Sequence, residues 1–467
     1  MPAFALTEVM RATGGTACGR APELTLNGIS TDTRRIAPGS LFVALKGDRF
    51  DAHDYLAAAA RGGARAALVE RPAPPESVGA LVQIRVADTR RALGDLARFH
   101  AGRAHARRAA VTGSNGKTTT KELLAAALAA GGPTVASEKS FNNEIGLPLT
   151  LLRIEAATAF AVLELGSNHP GEIARLADLA RPEVGIVTNC AAAHLEHLID
   201  LDGVAREKGA LIEALPKSGV AILNADDAKF ENLRARVFCR VVTFGVRKAA
   251  DFRAVDLRFD LRRLVYKLRG RRVYVPLGGC HNVCNSLAAL AAADALGVPL
   301  AAAAAALRRI EGPPMRLAVA ALGPLTLIDD SYNANPGSVE AAFRTLAAAS
   351  VKGRRVMVLG DMLELGVHAA VEHCCAGELA SLLGDALLVA VGPHSGEVAA
   401  GATSRDLAAN HIATFPDSAA AAREVPALLE PGDAVLVKGS RGMAMERVVE
   451  AIARAWSRRE GAALAGR

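Results

Sequence analysis

The feature that most constrains the fold is an alternation of short apolar runs with helix-like stretches, which starts near Ala109 and continues almost to the end of the chain. The apolar runs lie at 110–111, 160–165, 184–188, 220–223, 241–244, 325–328, 356–359, 386–391 and 434–437. Strands that are separated by helices need crossover connections, and these connections produce mostly parallel sheets. The alternation therefore predicts an α/β fold.

Length and local breaks divide this alternation into units. A chain of 467 residues is long enough for about three domains. The segment Glu311-Gly312-Pro313-Pro314 has the composition of a linker, and an arginine-rich segment at 103–108 closes an earlier block with short apolar runs at 41–45 and 67–69. We expect a central domain with a P-loop-type, mostly parallel sheet and a C-terminal, Rossmann-like, doubly wound domain. The predicted domains are residues 1–106, 107–314 and 315–467.

Composition narrows the class of protein. Hydrophobic residues make up 51% of the chain and charged residues 22%, which favours a large buried core over disorder. Seven scattered cysteines, an odd number, indicate a reducing compartment and no disulfide framework. The N-terminus lacks the pattern of a signal peptide, and Gly297-Val298-Pro299 divides the apolar stretch 287–307 into two predicted helices. We therefore expect a soluble, cytoplasmic protein without a membrane span.

The formal net charge of +7 suits an anionic substrate or nucleic acid. The densest basic run, at 262–272, alternates apolar and basic residues as a half-exposed hairpin does. Its single tyrosine is a poor stacking platform, so a solvated strand face is favoured over nucleic-acid binding. Neither the segment 280–284 nor His373-Cys374-Cys375 has the paired ligand spacing of a structural metal site. We expect no nucleic-acid partner.

A glycine-rich segment, Thr112-Gly113-Ser114-Asn115-Gly116-Lys117-Thr118, joins the first of these runs to a helix-like stretch. The usual phosphate loop has four residues between its two glycines, whereas this segment has two. The context still suits phosphate, because backbone N–H groups and a helix N-terminus attract anions. Lys117 would contact the outer phosphates and the Thr118 hydroxyl would hold magnesium. The alternative is an ordinary tight turn with a surface lysine.

Ligands of open parallel sheets bind at the carboxyl ends of the strands, so residues there are candidates for a site. Glu164 lies at the end of the run 160–165, and His194 follows the run 184–188. A carboxylate is a good ligand for Mg²⁺, whereas histidine is an atypical one. Each residue, taken alone, could equally have a structural role.

Two further polar groups lie at the starts of predicted helices. Asn282 and Asn285 precede an alanine-rich stretch, where they would cap the helix or read the edge of a purine. Asp329 and Asp330 follow the run 325–328, where they would stabilise a turn or bind a ribose.

Together these segments resemble the Mur ligase family, the ATP-dependent amide ligases of peptidoglycan precursor synthesis. The shortened phosphate loop is that family's own variant. Gly279-Cys280-His281-Asn282-Val283-Cys284-Asn285 resembles its G-x-H-N-x-x-N element, Pro314-Met315-Arg316 its linker arginine, and Lys438-Gly439-Ser440-Arg441 its C-terminal element.

Four other segments, at 142–146, 163–173, 330–336 and 360–366, resemble the family member that joins D-alanyl-D-alanine to the UDP-N-acetylmuramoyl tripeptide. The D-N-P-R element of the member that adds the third amino acid is absent. The resemblance implies a domain for the UDP end, a domain for ATP and a domain for the incoming amine. It also implies ATP and Mg²⁺ as cofactors, the two peptide substrates as partners, and a monomer.

The resemblance assigns roles to individual residues. The nucleotide would be bound by Gly113, Ser114, Asn115, Gly116, Lys117, Thr118, Thr119, Asn282, Asn285, Arg316 and Asp330. The magnesium site would contain Thr118, Glu164, His194 and Lys208, the last as a carbamate. The catalytic residues would be Lys117, Glu164, His194, Lys208 and Arg316. The UDP-linked substrate would contact Thr33, Arg34, Lys46, Asn142 and Asn143.

The implied reaction converts a carboxylate into an acyl phosphate, which an amine then attacks, with the domains closing around the substrates. Two alternatives stay open. One is a related ligase of the folylpolyglutamate type, with another acceptor, and the other is a nucleotide-binding protein without chemistry. For Lys208 the alternative is a surface salt bridge.

Overall fold

The computed structural model describes residues 3–47, 50–192 and 195–465. It confirms the predicted α/β class, since helices alternate with strands in mostly parallel sheets. No helix in these residues is long and apolar enough to cross a membrane.

The N-terminal segment is built from short elements. Its strands are β1 (Ala3–Ala5), β2 (Thr16–Ala17), β3 (Thr25–Asn27), β4 (Ile29–Ser30), β5 (Leu41–Val43), β6 (Ala66–Val69) and β7 (Val82–Arg85), and its helices are α1 (Leu6–Thr13), α2 (Leu56–Arg61), α3 (Pro75–Val78) and α4 (Thr89–Ala101). One sheet has the order β2-β7-β6-β5-β4 and is parallel except for the β2–β7 pair, while β1 and β3 form a separate antiparallel pair.

The central segment carries a fully parallel sheet in the order β14-β13-β12-β11-β8-β10-β9. Its elements are β8 (Arg107–Thr112), α5 (Lys117–Ala129), β9 (Thr134–Ala136), α6 (Gly146–Leu151), β10 (Phe160–Glu164), α7 (Glu172–Ala180), β11 (Val184–Val187), α8 (Leu195–Leu198), α9 (Leu201–Glu213), β12 (Val220–Asn224), α10 (Phe230–Arg234), β13 (Arg240–Gly245) and β14 (Phe252–Arg253). Ala109 and Val111 pack into one hydrophobic cluster and Ala110 into another, because both faces of the sheet are covered. The second cluster includes apolar side chains of the N-terminal segment.

The central segment continues with an antiparallel sheet and two helices. These elements are β15 (Val255–Phe259), β16 (Leu264–Leu268), β17 (Arg271–Val275), α11 (His281–Ala295) and α12 (Leu300–Ala306). The predicted hairpin at 262–272 corresponds to β16 and β17, with exposed basic side chains alternating with buried apolar ones. The predicted break at Gly297-Val298-Pro299 lies between α11 and α12, as expected from its composition.

The C-terminal segment contains a six-stranded sheet in the order β18-β19-β23-β20-β21-β22, antiparallel only at the β18–β19 pair. Its elements are β18 (Ala318–Leu322), β19 (Leu325–Asp330), α13 (Pro336–Ala347), β20 (Arg355–Gly360), α14 (Ala369–Glu378), β21 (Ala386–Val391), α15 (Ser395–Thr403), β22 (Ile412–Phe415), α16 (Ser418–Leu428), β23 (Ala434–Lys438) and α17 (Glu446–Ala465). Phe343 of α13 packs on one face and Trp456 of α17 on the other, so the sheet is doubly wound as predicted.

Short 3₁₀ helices complete the structure at Thr33–Arg35, Ala52–Tyr55, Leu307–Arg309, Gly366–His368, Leu379–Leu383, Ala409–His411 and Arg441–Met443. Each sheet lies within one of the three predicted segments. The exact domain boundaries stay a prediction.

Candidate active site

The predicted phosphate loop, residues 113–116, connects β8 to α5. Gly113 has φ 141° and Gly116 has φ 81°, values that favour glycine. A Cβ atom at Gly113 would lie 2.0 Å from Oγ1 of Thr188, and one at Gly116 would lie 2.3 Å from Oδ1 of Asn285. The two glycines are therefore required by close contacts with the end of β11 and with α11.

Lys117, the first residue of α5, turns back toward the loop. Its ammonium group donates hydrogen bonds to the carbonyl oxygens of Gly113, at 2.7 Å, and Ser114, at 3.2 Å. Burial lowers the pKa of Lys117 to about 8, and the nearby charge of Arg316 acts in the same direction. Lys117 is therefore half-buried and bonded to the loop, and its contact with phosphate stays a prediction.

The loop is fastened to the strand beside it. The Thr188 hydroxyl donates to the carbonyl oxygen of Asn115 at 2.6 Å, and the Asn189 side chain both donates to that oxygen, at 3.1 Å, and accepts from the Asn115 N–H, at 3.0 Å. The Ser114 hydroxyl donates to the carbonyl oxygen of Ala191. Sequence reasoning did not select Thr188 or Asn189, although their position at the end of a strand-like run was a usable signal.

Glu164, the last residue of β10, is 1% exposed. Its Oε1 accepts hydrogen bonds from the Thr118 hydroxyl, at 3.2 Å, and from the Asn142 amide, at 3.0 Å. Its Oε2 is buried without a hydrogen-bond partner, and the Lys121 ammonium group lies 3.9 Å away. An unsatisfied carboxylate oxygen in a buried position is costly, and oxygen ligands suit Mg²⁺. The donor set of Glu164 and Thr118 therefore fits a divalent cation.

The two other predicted metal ligands are His194 and Lys208. His194 lies outside the described residues. Lys208 is 1% exposed and donates to the Ser167 hydroxyl at 2.7 Å, so the surface salt bridge is excluded. Burial lowers the pKa of Lys208 to about 7, with the charge of Lys117 as the next cause. Within the described ranges, no group of three or more His, Cys, Asp or Glu side chains could hold a metal ion.

Asn282 and Asn285 lie inside α11, and the residue at the N-cap position before the helix is Cys280, which makes no side-chain capping bond. The predicted capping role is therefore wrong. The Asn282 amide donates to the carbonyl oxygen of Gly278, the Asn285 amide donates to Asn282 Oδ1, and Asn285 Oδ1 accepts from the Thr120 hydroxyl. These three hydrogen bonds hold the Asn285 side chain against the phosphate loop.

The C-terminal segment reaches the same loop through side chains. The amide of Asn335 donates to Oδ1 of Asn115 at 2.8 Å, although 220 residues separate them in the chain. The Tyr332 hydroxyl donates to the Ser140 hydroxyl at 2.6 Å, and the guanidinium carbon of Arg316 lies 4.1 Å from the centre of the Tyr332 ring. Arg316 is thus placed next to the phosphate loop by a cation–π contact.

Asp330, the last residue of β19, forms an ion pair with Lys438, the last residue of β23, at 2.6 Å. Lys438 is 3% exposed and also donates to the carbonyl oxygen of Asn333. The other oxygen of Asp330 accepts from the Leu317 N–H at 3.1 Å. Asp330 is therefore held rigidly at a strand end, where the sequence left a turn and a ribose site as alternatives.

A segment that we call the strap, residues 137–144, crosses in front of α5. Lys121 of α5 is 0% exposed and donates to the carbonyl oxygens of Ser137, at 2.6 Å, and Lys139, at 2.7 Å. Asn142 contacts Glu164, as described above, and Asn143 accepts hydrogen bonds from the backbone at the start of α6. The strap thus brings Asn142 to Glu164, while Asn143 fixes the start of α6 beside it.

These groups surround one cavity of about 900 Å³. Of the predicted residues, the cavity is lined by Ser114, Asn115, Gly116, Lys117, Thr118, Thr119, Asn142, Asn143, Glu164, Asn282, Asn285, Arg316 and Asp330. Thr33, Arg34 and Lys46 do not line it, and the Arg34 side chain instead pairs with Asp32. Of the described residues before 107, Arg90 alone reaches the cavity, and sequence reasoning missed it.

A phosphate loop shares this cavity with a buried carboxylate that fits Mg²⁺ and with the strand ends of a second doubly wound sheet, an arrangement that suits phosphoryl transfer from ATP. Three family descriptions match the chain: "Mur ligase family, catalytic domain" at 25–101, "Mur ligase middle domain" at 111–293 and "Mur ligase, glutamate ligase domain" at 315–441. The chain belongs to the Mur ligase family.

Relatives resemble the chain over nearly its whole length. The UDP-N-acetylmuramoyl-tripeptide–D-alanyl-D-alanine ligase of Escherichia coli (strain K12) is 41% identical over 92% of this chain and 94% of its own. The Bacillus subtilis protein of that name is 33% identical over 91% and 93%. The crystal structure of MurF from Acinetobacter baumannii has a TM-score of 0.90 at 32% identity, covering 97% of this chain and 99% of that one. MurF from Thermotoga maritima, solved with ADP, has a TM-score of 0.80 at 26% identity over 93% and 98%.

Proposed function

We propose that this protein joins D-alanyl-D-alanine to UDP-N-acetylmuramoyl-tripeptide at the expense of ATP, in peptidoglycan precursor synthesis. The activities named for its relatives in Escherichia coli and Bacillus subtilis support these substrates. The observation that carries the proposal is the single cavity in which the phosphate loop, the buried Glu164 and the strand ends of the C-terminal sheet meet. The protein acts as a monomer in the cytoplasm, where ATP and nucleotide-linked precursors are available.

In the first step, a carboxylate oxygen of the tripeptide attacks the γ-phosphorus of ATP. The bond between that phosphorus and the β–γ bridging oxygen breaks, so that ADP leaves and an acyl phosphate forms. Such transfers depend mainly on positioning and charge neutralisation. The N-terminus of α5 and the Lys117 ammonium group receive the outer phosphates, and the Arg316 guanidinium adds a second positive charge.

Magnesium, when bound, would neutralise charge on the phosphate oxygens. Thr118, Glu164 and His194 would hold it, together with Lys208 as a carbamate. Lys208 suits that modification because its pKa of about 7 leaves much of the amine neutral at neutral pH. Ser167, which accepts its hydrogen bond, lines the cavity. The buried Oε2 of Glu164, which has no hydrogen-bond partner, would be available to the metal.

In the second step, the free amine of D-alanyl-D-alanine attacks the acyl carbon. A C–N bond forms, the C–O bond to phosphate breaks, and the amine nitrogen loses a proton as the amide forms. The C-terminal segment presents the loop at 363–365 and the end of β23 to the cavity, and these elements would receive the dipeptide. The contacts of Tyr332 and Asn335 with the central segment hold that face toward the phosphate loop.

The nucleoside of ATP would lie between α11 and the linker. Asp330 would bind the ribose, and Asn282 and Asn285 would lie near the base. A smaller cavity of about 230 Å³ shares Thr119, Asn282 and Arg316 with the main one. Nδ1 of His281, which lines the main cavity, is buried without a hydrogen-bond partner.

The UDP end of the substrate would extend away from this cavity toward Thr33, Arg34 and Lys46. Asn142 and Asn143, which do line the cavity, would contact its peptide end. This division explains why the N-terminal residues lie outside the cavity, since the uridine and the reacting carboxylate are opposite ends of a long molecule.

One assay tests the proposal against its alternatives. The protein is incubated with ATP and Mg²⁺, the UDP-linked tripeptide and D-alanyl-D-alanine, and phosphate is measured with each component omitted in turn. We expect phosphate release that requires both peptide substrates. Release that depends on a folate and glutamate would support the folylpolyglutamate alternative, and no peptide-dependent release at all would contradict the proposed function.

A further inference from the structure

Arg90 is the contribution of the N-terminal segment to the cavity, and its surroundings differ from those of the other lining cations. It lies in the first turn of α4, where Asp88 caps the helix and fixes the backbone of Arg90. One guanidinium nitrogen donates to the carbonyl oxygen of Lys46 at 3.2 Å, and another lies 3.9 Å from Glu144. A guanidinium group has five N–H donors, so these contacts use a minority of them.

Glu144, at the end of the strap, is the acidic neighbour of Arg90 at the cavity. It also lines the cavity, and its other oxygen accepts a short contact of 2.9 Å from Arg175 of α7. The tight pair with Arg175 holds the Glu144 carboxylate in place. The pair with Arg90, at 3.9 Å, is longer than a hydrogen bond, so the Arg90 guanidinium group can turn from Glu144 toward a ligand. The side chains of Arg90 and Glu144 are 47% and 41% exposed, so solvent and substrate reach both.

The position of this pair relative to the reacting atoms limits what it can contact. A single residue, Asn143, separates Glu144 from Asn142, whose amide binds Glu164, so the Cα atoms of Glu144 and Asn142 lie within about 7 Å of each other. The reacting carboxylate of the tripeptide belongs to its third residue. When that carboxylate reaches the phosphate loop, the side chain of the same residue lies within range of the strap.

We propose that Arg90 and Glu144 form a subsite for the side chain of the tripeptide's third residue, and that it selects a side chain ending in both an ammonium and a carboxylate group, as in diaminopimelate, over one ending in an ammonium group alone, as in lysine. This inference rests on the proposed function. A guanidinium group binds a carboxylate through paired N–H donors, and the Glu144 carboxylate accepts from an ammonium group.

The charges explain the selection. A zwitterionic end adds no net charge and provides a partner for each protein group. A lysine end adds a positive charge beside Arg90 and Arg175 and leaves Arg90 without its carboxylate. Interactions of half-exposed charges are modest, so we expect a preference of about tenfold in kcat/KM, not the much larger discrimination of a fully buried site.

The test compares UDP-linked tripeptides that contain diaminopimelate or lysine, with ATP, Mg²⁺ and D-alanyl-D-alanine held constant. In the unaltered protein, kcat/KM is expected to be about tenfold higher for the diaminopimelate substrate, mainly through a lower KM. Arg90→Gln is expected to remove this preference by lowering kcat/KM for the diaminopimelate substrate and slightly raising it for the lysine substrate, which no longer meets the charge of Arg90. If Arg90→Gln folds poorly, Arg90→Lys is the second variant, because it keeps the charge but loses the paired N–H donors, and it should reduce the preference for diaminopimelate.

Arg91→Gln is the matched control, because Arg91 neighbours Arg90 on α4 and forms a similar 3.9 Å ion pair, with Asp95, but does not line the cavity. In this variant, the ratio of kcat/KM for the two tripeptides is expected to equal that of the unaltered protein. Equal use of both substrates, or an equal loss on both with Arg90→Gln, overturns the inference and leaves the proposed function intact. Failure to turn over either tripeptide overturns the proposed function itself.

Discussion

The central and C-terminal sheets both present the carboxyl ends of parallel strands to one cavity, but they build their share of the site differently. The central sheet uses close backbone contacts, as at Gly113, and buried side chains of its own segment, as at Glu164. The C-terminal sheet contributes through hydrogen bonds that cross between segments, from Tyr332 and Asn335. The central part of the site is therefore preformed, whereas the C-terminal part depends on how the segments meet.

This comparison predicts that changes in the central part cost the most. Lys117→Ala removes the charge that receives the phosphates, and we expect kcat to fall by about a thousandfold, the upper range for loss of one transition-state contact. The melting temperature should stay close to that of the unaltered protein. Lys229→Ala, which removes a lysine paired with Asp202 outside the cavity, is the control and should keep full activity. Near-normal turnover by Lys117→Ala would refute the role of this lysine.

The next effect concerns the metal-competent carboxylate. Glu164→Gln keeps the shape of the side chain and its contact with Thr118 but removes the charge, so we expect a loss of about a hundredfold in kcat, with a higher Mg²⁺ concentration at half-maximal rate. A titration of initial rate against Mg²⁺ measures both. Glu183→Gln, whose carboxylate pairs with Arg107, should leave the titration unchanged. If Glu164→Gln shows an unchanged Mg²⁺ requirement, Glu164 does not belong to the metal site.

The pH dependence should also reflect the buried central part. Lys117 must be charged to receive phosphate, and its pKa is lowered to about 8, so the active form is lost as the pH rises through that value. The pH dependence of kcat/KM reports pKa values of the free enzyme, so kcat/KM for ATP should fall by about tenfold per pH unit above pH 8. Lys117→Arg should move this decline to higher pH, because a guanidinium group keeps its proton. A decline at the same pH in that variant would assign the titration to another group.

The comparison also separates what the sequence predicts from what it does not. The fold and the phosphate loop were predictable, because strand and helix periods and the Gly113–Lys117 context are local properties of the chain. The contact of Asn115 with Asn335 joins residues that are 220 positions apart, and no local pattern encodes it. Lys121 and Arg90 were missed for the same reason.

The sequence could not decide the role of a residue where local and long-range partners were both possible. Asn282 looked like a cap because asparagine commonly begins helices, but it lies within α11 and donates to Gly278. Lys208 could have been a surface residue by composition, and only the packing of α9 shows that it is buried. The roles of the site residues in catalysis stay predictions, for which these variants are the test.

A moderate effect is expected where the C-terminal sheet contacts the nucleotide. Asp330→Asn weakens the ion pair with Lys438 and removes a charged acceptor from the cavity, so we expect KM for ATP to rise by about tenfold with a small change in kcat. Asp329→Asn is the matched control. Asp329 neighbours Asp330 in the chain, but its carboxylate accepts hydrogen bonds from Ser331 and does not line the cavity. Equal effects of the two variants on KM would indicate a general weakening of the strand end.

The smallest effect is expected for the hydrogen bond that joins the central and C-terminal segments. Ser140→Ala and Tyr332→Phe each remove one hydroxyl of a hydrogen bond that is worth about 1 kcal/mol, so kcat/KM should fall by about fivefold in each variant and no further in the double variant. Small-angle scattering with and without ATP and substrates should show a smaller radius of gyration in the complex, and the variants should shift this change toward higher ligand concentration. Losses that multiply in the double variant would show that the two hydroxyls act independently. An unchanged radius of gyration in the unaltered protein would mean that the C-terminal part of the site is as preformed as the central part.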